Sequence, residues 1–232
     1  MAIPLFLAMT GCEISKNTSL PPLISWMACH FSPYGTGLTN LPQSLPAGSM
    51  IIVNDRTPVS GHDPEQITRQ LSALVETTQC GSILLDFQRP DESQTAAITE
   101  AIVKGLSCPV GVSEIYARDL PCPVFLPPVP PHMLLSDYLA PWQNREVWLE
   151  AALDATTISV TKEGCAVDPH LFADSAENTH HDSELCCHYH VSIEDDRIQF
   201  HLHRTREDLS DLLATAEKAN ITKAIGLYQE LQ

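Results

Sequence analysis

The chain has 232 residues, with 13 Lys+Arg against 29 Asp+Glu and a formal net charge of −16. A nucleic-acid duplex or an anionic membrane repels such a surface unless its few cations cluster. No basic run is present, so neither is expected as a partner. The length buries a large core without metals or disulfides, and residues 1–232 read as one α/β domain.

The eight cysteines are scattered and form no C-x-x-C. Free thiols in a reducing, cytoplasmic compartment are the expectation, since disulfide frameworks belong to small secreted domains. Ile3–Met9 is apolar, and Met9-Thr10-Gly11-Cys12 is similar to a lipoprotein cleavage box. The segment has no Lys or Arg before it and is short for a signal peptide, so it reads as a buried first strand. No stretch of about 18 apolar residues exists, and no transmembrane helix is expected.

Ser19–Gly48 is rich in Pro, Gly, Ser and Thr, with Trp26, Phe31 and Tyr34 among them. It reads as a long connection, either functional or irregular packing over one barrel end. Met50–Val53 reads as a buried strand ending at Asn54-Asp55. Asp63 then caps a helix, with Pro64 at its first position and Ile67, Leu71, Leu74 and Val75 on one apolar stripe. Ser82–Leu85 is a second strand, ending at Asp86, and Asp91 opens the next helix. Val110–Val112 is a third strand, followed by Glu114.

Continuous apolar strands alternating with helices argue for a parallel sheet covered on both faces. Further strands are expected at Pro123–Leu126, Thr157–Val160 and Ala224–Tyr228, and helix is expected around Trp148-Leu149. Six prolines in Pro121–Pro131 make a rigid surface connection. Thr205 caps a helix carrying Leu209, Leu212, Leu213 and Ala216. No helix is expected after the last strand. The fold class is therefore α/β, a (β/α) barrel-like arrangement with scope for incomplete or distorted closure.

Sites in parallel α/β folds gather at the carboxyl ends of strands. Asp55, Asp86 and Glu114 stand at three consecutive strand ends and are the candidate catalytic carboxylates. One protonated acid can donate to a leaving oxygen while another stabilises developing positive charge. Each acid can equally cap a loop or pair with Arg56, Arg89 or Arg118. Trp26, Tyr34, Gln88, Arg89 and Tyr116 are candidate substrate contacts.

Leu84-Leu85-Asp86-Phe87-Gln88 resembles the fourth-strand motif of the family-18 glycoside hydrolases, which are chitinase-like (β/α) barrels. That motif ends in D-x-E, its Glu acting as the acid. Asp86 matches, whereas Gln88 stands at the Glu position, and Gly81 and Leu84 stand at the earlier Asp positions. The resemblance implies a carbohydrate ligand and a sugar-active barrel. A neutral amide cannot act as the acid, which leaves either a sugar-binding relative or an enzyme using another acid such as Glu114.

Residues 187–203 carry four histidines in a two-residue alternation. A hairpin turn at Asp195-Asp196 opposes Glu194 to Arg197, His190 to His201 and His188 to His203. Tyr189, Val191, Ile193, Ile198, Phe200 and Leu202 then fill the other face. His188, His190, His201 and His203 can hold a transition metal, respond to pH, or form a solvent-facing polar surface. His180, His181, Cys186 and Cys187 lie just upstream. No cofactor is otherwise indicated, because Gly-x-Gly-x-x-Gly, Walker and Gly-x-Ser-x-Gly motifs are absent.

Two classes of function therefore stand, a carbohydrate-active barrel using strand-end carboxylates and a non-catalytic binding protein on the same scaffold. A metal-dependent hydrolase is a third.

Overall fold

The computed structural model describes residues 2–35, 37–89, 93–170, 179–194 and 196–232. One sheet takes β1 (Leu5–Met9), β2 (Ile24–Phe31), the two-residue β3 (Leu38–Thr39), β4 (Met50–Asn54), β5 (Ser82–Asp86), β6 (Val110–Ser113), β7 (Val124–Leu126) and β8 (Val147–Ala151). A second sheet follows, built from β9 (Ala155–Thr161), β10 (Gly164–His170), β11 (His180–Asp182), β12 (Cys187–Glu194) and β13 (Arg197–His203). The chain then returns to the first sheet through β14 (Ile221–Leu227).

β4, β5 and β6 are adjacent and parallel, as their apolar runs require. β14 pairs in parallel with both β8 and β1, and β1 pairs in parallel with β2. The eight parallel strands thus close into a barrel, while β3 adds an antiparallel edge to β2. Closure leaves the barrel strands without an open edge. The scope for incomplete closure is removed. The irregularity lies in the outer layer instead. The helices α2 (Pro64–Thr78), α3 (Ser93–Gly105) and α6 (Arg206–Ala216) are full length. By contrast α1 (Gly11–Lys16), α4 (Glu114–Ala117), α5 (Leu135–Leu139) and the terminal α7 (Tyr228–Leu231) are one or two turns.

Both strand faces are buried, which is why the strands read as unbroken apolar runs. Phe6, Met50, Ile52, Leu84, Phe125 and Trp148 fill the barrel interior. The alternate residues Ile51, Val53, Ile83, Leu85 and Val112 pack outward with Ile67, Leu71, Ile98 and Ile102 of the helices. Gly111 is required by this packing, since a Cβ there would lie 2.2 Å from the Trp148 ring. α2 begins as its sequence dictates, with Asp63 accepting from the Glu65 N–H at 3.2 Å and Pro64 in the first turn. The expected cap Asp91 lies outside the described residues.

Four expectations are corrected. A short helix, α7, follows the last strand, where none was expected. Residues 147–151 form β8 rather than helix, and Trp148 is wholly buried inside the barrel. Leu, Glu and Ala favour helix intrinsically, but tertiary burial of Trp148 between Gly111 and Lys223 overrides that preference. Thr157–Val160 lies in an antiparallel strand of the second sheet, not in the barrel. Ser19–Gly48 is only partly a connection, because it contains the eight-residue barrel strand β2.

The second sheet is inserted between β8 and α6. Its hairpin has the register that the alternation demands, with His188 opposite His203, His190 opposite His201 and Glu194 opposite Arg197. The expected sorting into a buried apolar and a solvent-facing polar face is partly reversed. Val191 and Ile193, near the turn, are exposed, whereas the histidine face turns toward α6 at its root. Asp208 of α6 is buried and accepts from His188 Nδ1 at 2.8 Å and from His181 Nε2 at 3.1 Å.

Candidate active site

Alternation places one residue per strand at the carboxyl-end layer of the barrel interior. Above Met50 and Ile52 this is Asn54, above Leu84 it is Asp86, and above Trp148 it is Glu150. On β6 the corresponding residue is Ser113. β5 is the fourth barrel strand, so Asp86 and Gln88 occupy the place in the fold that the sequence motif implies.

Two adjoining cavities form a cleft over this layer. One, of about 480 Å³, is lined by His30, Asn40, Asn54, Arg56 and Asp86 among others. The other, of about 200 Å³, is lined by Ser113, Glu114, Phe125, Pro127 and Glu150. Gln88 borders both. His30 and Asn40 belong to the Ser19–Gly48 region, which therefore supplies one wall.

Gln88 Nε2 donates to Asp86 Oδ1 at 2.5 Å, and the Ser113 hydroxyl approaches the same oxygen at 3.4 Å. Ser113 is itself fixed, donating to the Leu85 carbonyl at 3.2 Å and accepting from the Phe87 N–H at 3.1 Å. Burial raises the Asp86 pKa, opposed by the Gln88 donor. Glu150 differs. No hydrogen bond or ion pair reaches its carboxyl among the described residues. Burial, then the charges of Asp86, Asp154 and Glu230, push its pKa up to about 7.

Of the three acids read from the sequence, Asp86 and Glu114 line the cleft around Gln88. Asp55 borders it, yet its Oδ2 accepts from the Gln88 N–H at 3.0 Å and the Arg89 N–H at 2.8 Å. It is thereby the group that positions the loop carrying Gln88. Arg89 and Tyr116 brace that loop too. Arg89 Nη2 donates to the Arg56 carbonyl at 2.8 Å, and the Tyr116 hydroxyl donates to the Arg89 carbonyl. Trp26 and Tyr34 line neither cavity. Trp26 lies over Gly11 and donates its indole N–H to the Asn40 carbonyl at 2.8 Å, while Tyr34 is 86% exposed. Glu150 is the site residue that sequence reasoning missed, because its segment reads as helix.

The histidine quartet does not converge. His190 and His201 stack at 4.4 Å between centroids, and His188 and His203 at 5.8 Å. Cross-strand neighbours project in parallel and present ring faces rather than lone pairs to one another. Both ring nitrogens of His201 meet hydroxyls, those of Thr157 and Ser192, at 3.1 Å each. Among the described residues no group of three His, Cys, Asp or Glu side chains is arranged to hold a metal ion.

No family model matches the sequence, and no curated protein matches it. Solved structures match its fold, a closed α/β barrel with its cleft at the strand carboxyl ends. A class V chitinase from Nicotiana tobaccum, a Glu→Gln mutant in complex with NAG4, aligns with TM-score 0.61 and 9% identity. That alignment covers 97% of this chain and 93% of the chitinase. A GH18 chitinase from Cycas revoluta in complex with (GlcNAc)3 aligns with TM-score 0.55 and 8% identity, covering 97% and 94%. The Bacillus cereus spore cortex-lytic enzyme SleL aligns with TM-score 0.57 and 8% identity, covering 97% and 70%. The chain has the barrel fold of the family-18 chitinases.

Proposed function

We propose that this protein is carbohydrate-active, taking an oligosaccharide of N-acetylglucosamine-type units at the barrel mouth and hydrolysing its glycosidic bonds with strand-end carboxylates. The observation that carries the reading is the cleft itself, where Asp86, Gln88, Glu114 and Glu150 meet at the carboxyl end of a barrel whose solved neighbours hold GlcNAc oligomers. Asp86, oriented by the Gln88 amide, faces positive charge developing at the sugar C1. Glu114 accepts from sugar hydroxyls at the cavity wall. The eight unpaired cysteines support a cytoplasmic protein.

A second reading, oligosaccharide binding without turnover, is favoured by Gln88, an amide where the family resemblance has an acid. Calorimetric titration with (GlcNAc)4, followed by product analysis, separates the two. Saturable binding with shorter products is expected. Binding without products supports the second reading, and absence of binding overturns both.

A further inference from the structure

We propose that Glu150, on the seventh barrel strand, is the catalytic acid that protonates the glycosidic oxygen in this cleft, in the part Gln88 cannot fill. The inference rests on the carbohydrate reading above and names the group through which that reading acts. Three observations carry it. The first is register, since Glu150 shares the face of Trp148, which is buried in the barrel interior, and sits one layer nearer the mouth. The second is position, since Glu150 lines the same cavity as Gln88, Ser113 and Glu114.

The third is the hydrogen-bond inventory. Asp86 accepts from the Gln88 amide, a donor that opposes the rise burial gives its pKa. Glu150 receives no donor among the described residues, and the acids that act on it are Asp86, Asp154 and Glu230. A half-buried carboxyl with negative neighbours and no donor retains its proton. The donor at Asp86 and its absence at Glu150 favour the proton resting on Glu150, which is the division that acid and charge-stabilising roles require. Gln88 serves this division by donating to Asp86.

In the step proposed, the Glu150 O–H proton passes to the glycosidic oxygen. The C1–O bond breaks, and its electron pair leaves with that oxygen. The Asp86 carboxylate faces the electron-deficient C1. Water then adds to C1 and gives a proton to the Glu150 carboxylate, restoring the acid. One water is consumed, two sugar fragments are released, and no oxidant or reductant is needed.

The test measures (GlcNAc)4 binding and hydrolysis by the full chain, by Glu150→Gln and by Glu150→Gln combined with Gln88→Glu. Wild-type kcat should fall as pH rises through about 7, the value to which Glu150 is pushed. Glu150→Gln should keep calorimetric affinity while kcat falls on the order of 10²–10⁴-fold. Adding Gln88→Glu should return part of the rate, because it sets a carboxyl on the same cavity. Undiminished kcat in Glu150→Gln overturns the proposal. A wild type that binds but releases no product also overturns it, while leaving carbohydrate binding intact. Absence of binding overturns the carbohydrate reading itself. Should Glu150→Gln lose its circular-dichroism spectrum, Glu150→Asp replaces it, and unchanged kcat in that variant overturns the proposal.

Discussion

A carboxyl that holds its proton near neutrality works against the fold once that proton leaves. Glu150 has an ordinary value of 4.5 and reaches about 7 in the barrel. Between those values the folded chain binds more protons than the unfolded one, so stability falls as pH rises through that window. Glu150→Gln removes the effect. The variant should melt higher than wild type at about pH 8, by on the order of 1–3 kcal/mol, and differ little at about pH 4. Thermal unfolding at the two pH values checks this. A constant difference between them would place the cause in packing. Asp86 was legible in the sequence because three apolar residues lead to it and a family motif frames it. Glu150 was not, because Leu149, Glu150, Ala151 and Ala152 are all good helix formers. Burial of Trp148 against Gly111, a contact distant in sequence, makes that segment a strand.

The hairpin of β12 and β13 is the element whose detail the sequence conveys best. Apolar and histidine residues alternate on both strands, and only one register sorts them, so pairing follows from pattern alone. Its exposure was not legible, since that depends on α6 docking at the histidine root. Burial, and then proximity to His188, hold His203 below its ordinary value of 6.5. His190 acts in the same direction, while Asp208 opposes them. The unfolded chain takes that proton more readily, so stability is lost as pH falls through about 6.5. Asp208, with its pKa lowered by Thr205 and His188 against burial, keeps its contribution until pH falls below its ordinary 3.8. Protection of β12 and β13 against hydrogen exchange, relative to the intrinsic rate at each pH, should therefore fall between about pH 7 and pH 5.5 more than that of β4 and β5. His203→Gln should reduce the difference. Equal loss of protection in both sheets would show that the hairpin histidines do not set it.

At the scale of the molecule, three strand–helix units in the middle of the sequence were enough to indicate a barrel, because each strand is apolar on both faces. What escaped is what the units do not repeat. β2 carries Trp26, Ser25 and His30 with an irregular register to β4, so its segment reads as loop. The segment of β9 reads as a further barrel strand until its antiparallel pairing with β10 and β13 is seen. Net charge also belongs to this scale. Under the proposed function, the formal −16 and the carboxyls of Asp86 and Glu114 at the cleft predict weaker binding of acidic than of neutral glycans.

The second sheet leaves and rejoins the barrel at a single point, where the Arg204 N–H donates to the Asp154 carbonyl at 3.1 Å. The Arg204 guanidinium, 4% exposed, reaches backbone carbonyls on both sides of this neck, Val129 and Pro130 of the barrel and Leu185 and Cys186 of the sheet. Such an attachment predicts that the sheet can be removed without unfolding the barrel. Replacing residues 155–203 with a short Gly-Ser bridge spans a gap that one hydrogen bond already closes, so loop-closure entropy adds little. The shortened chain should fold to a barrel with the near-ultraviolet dichroism of buried Trp148 retained. It should also lose the acid-sensitive phase of unfolding, which leaves with the histidines. Failure of the shortened chain to fold would mean that barrel and sheet are one cooperative unit.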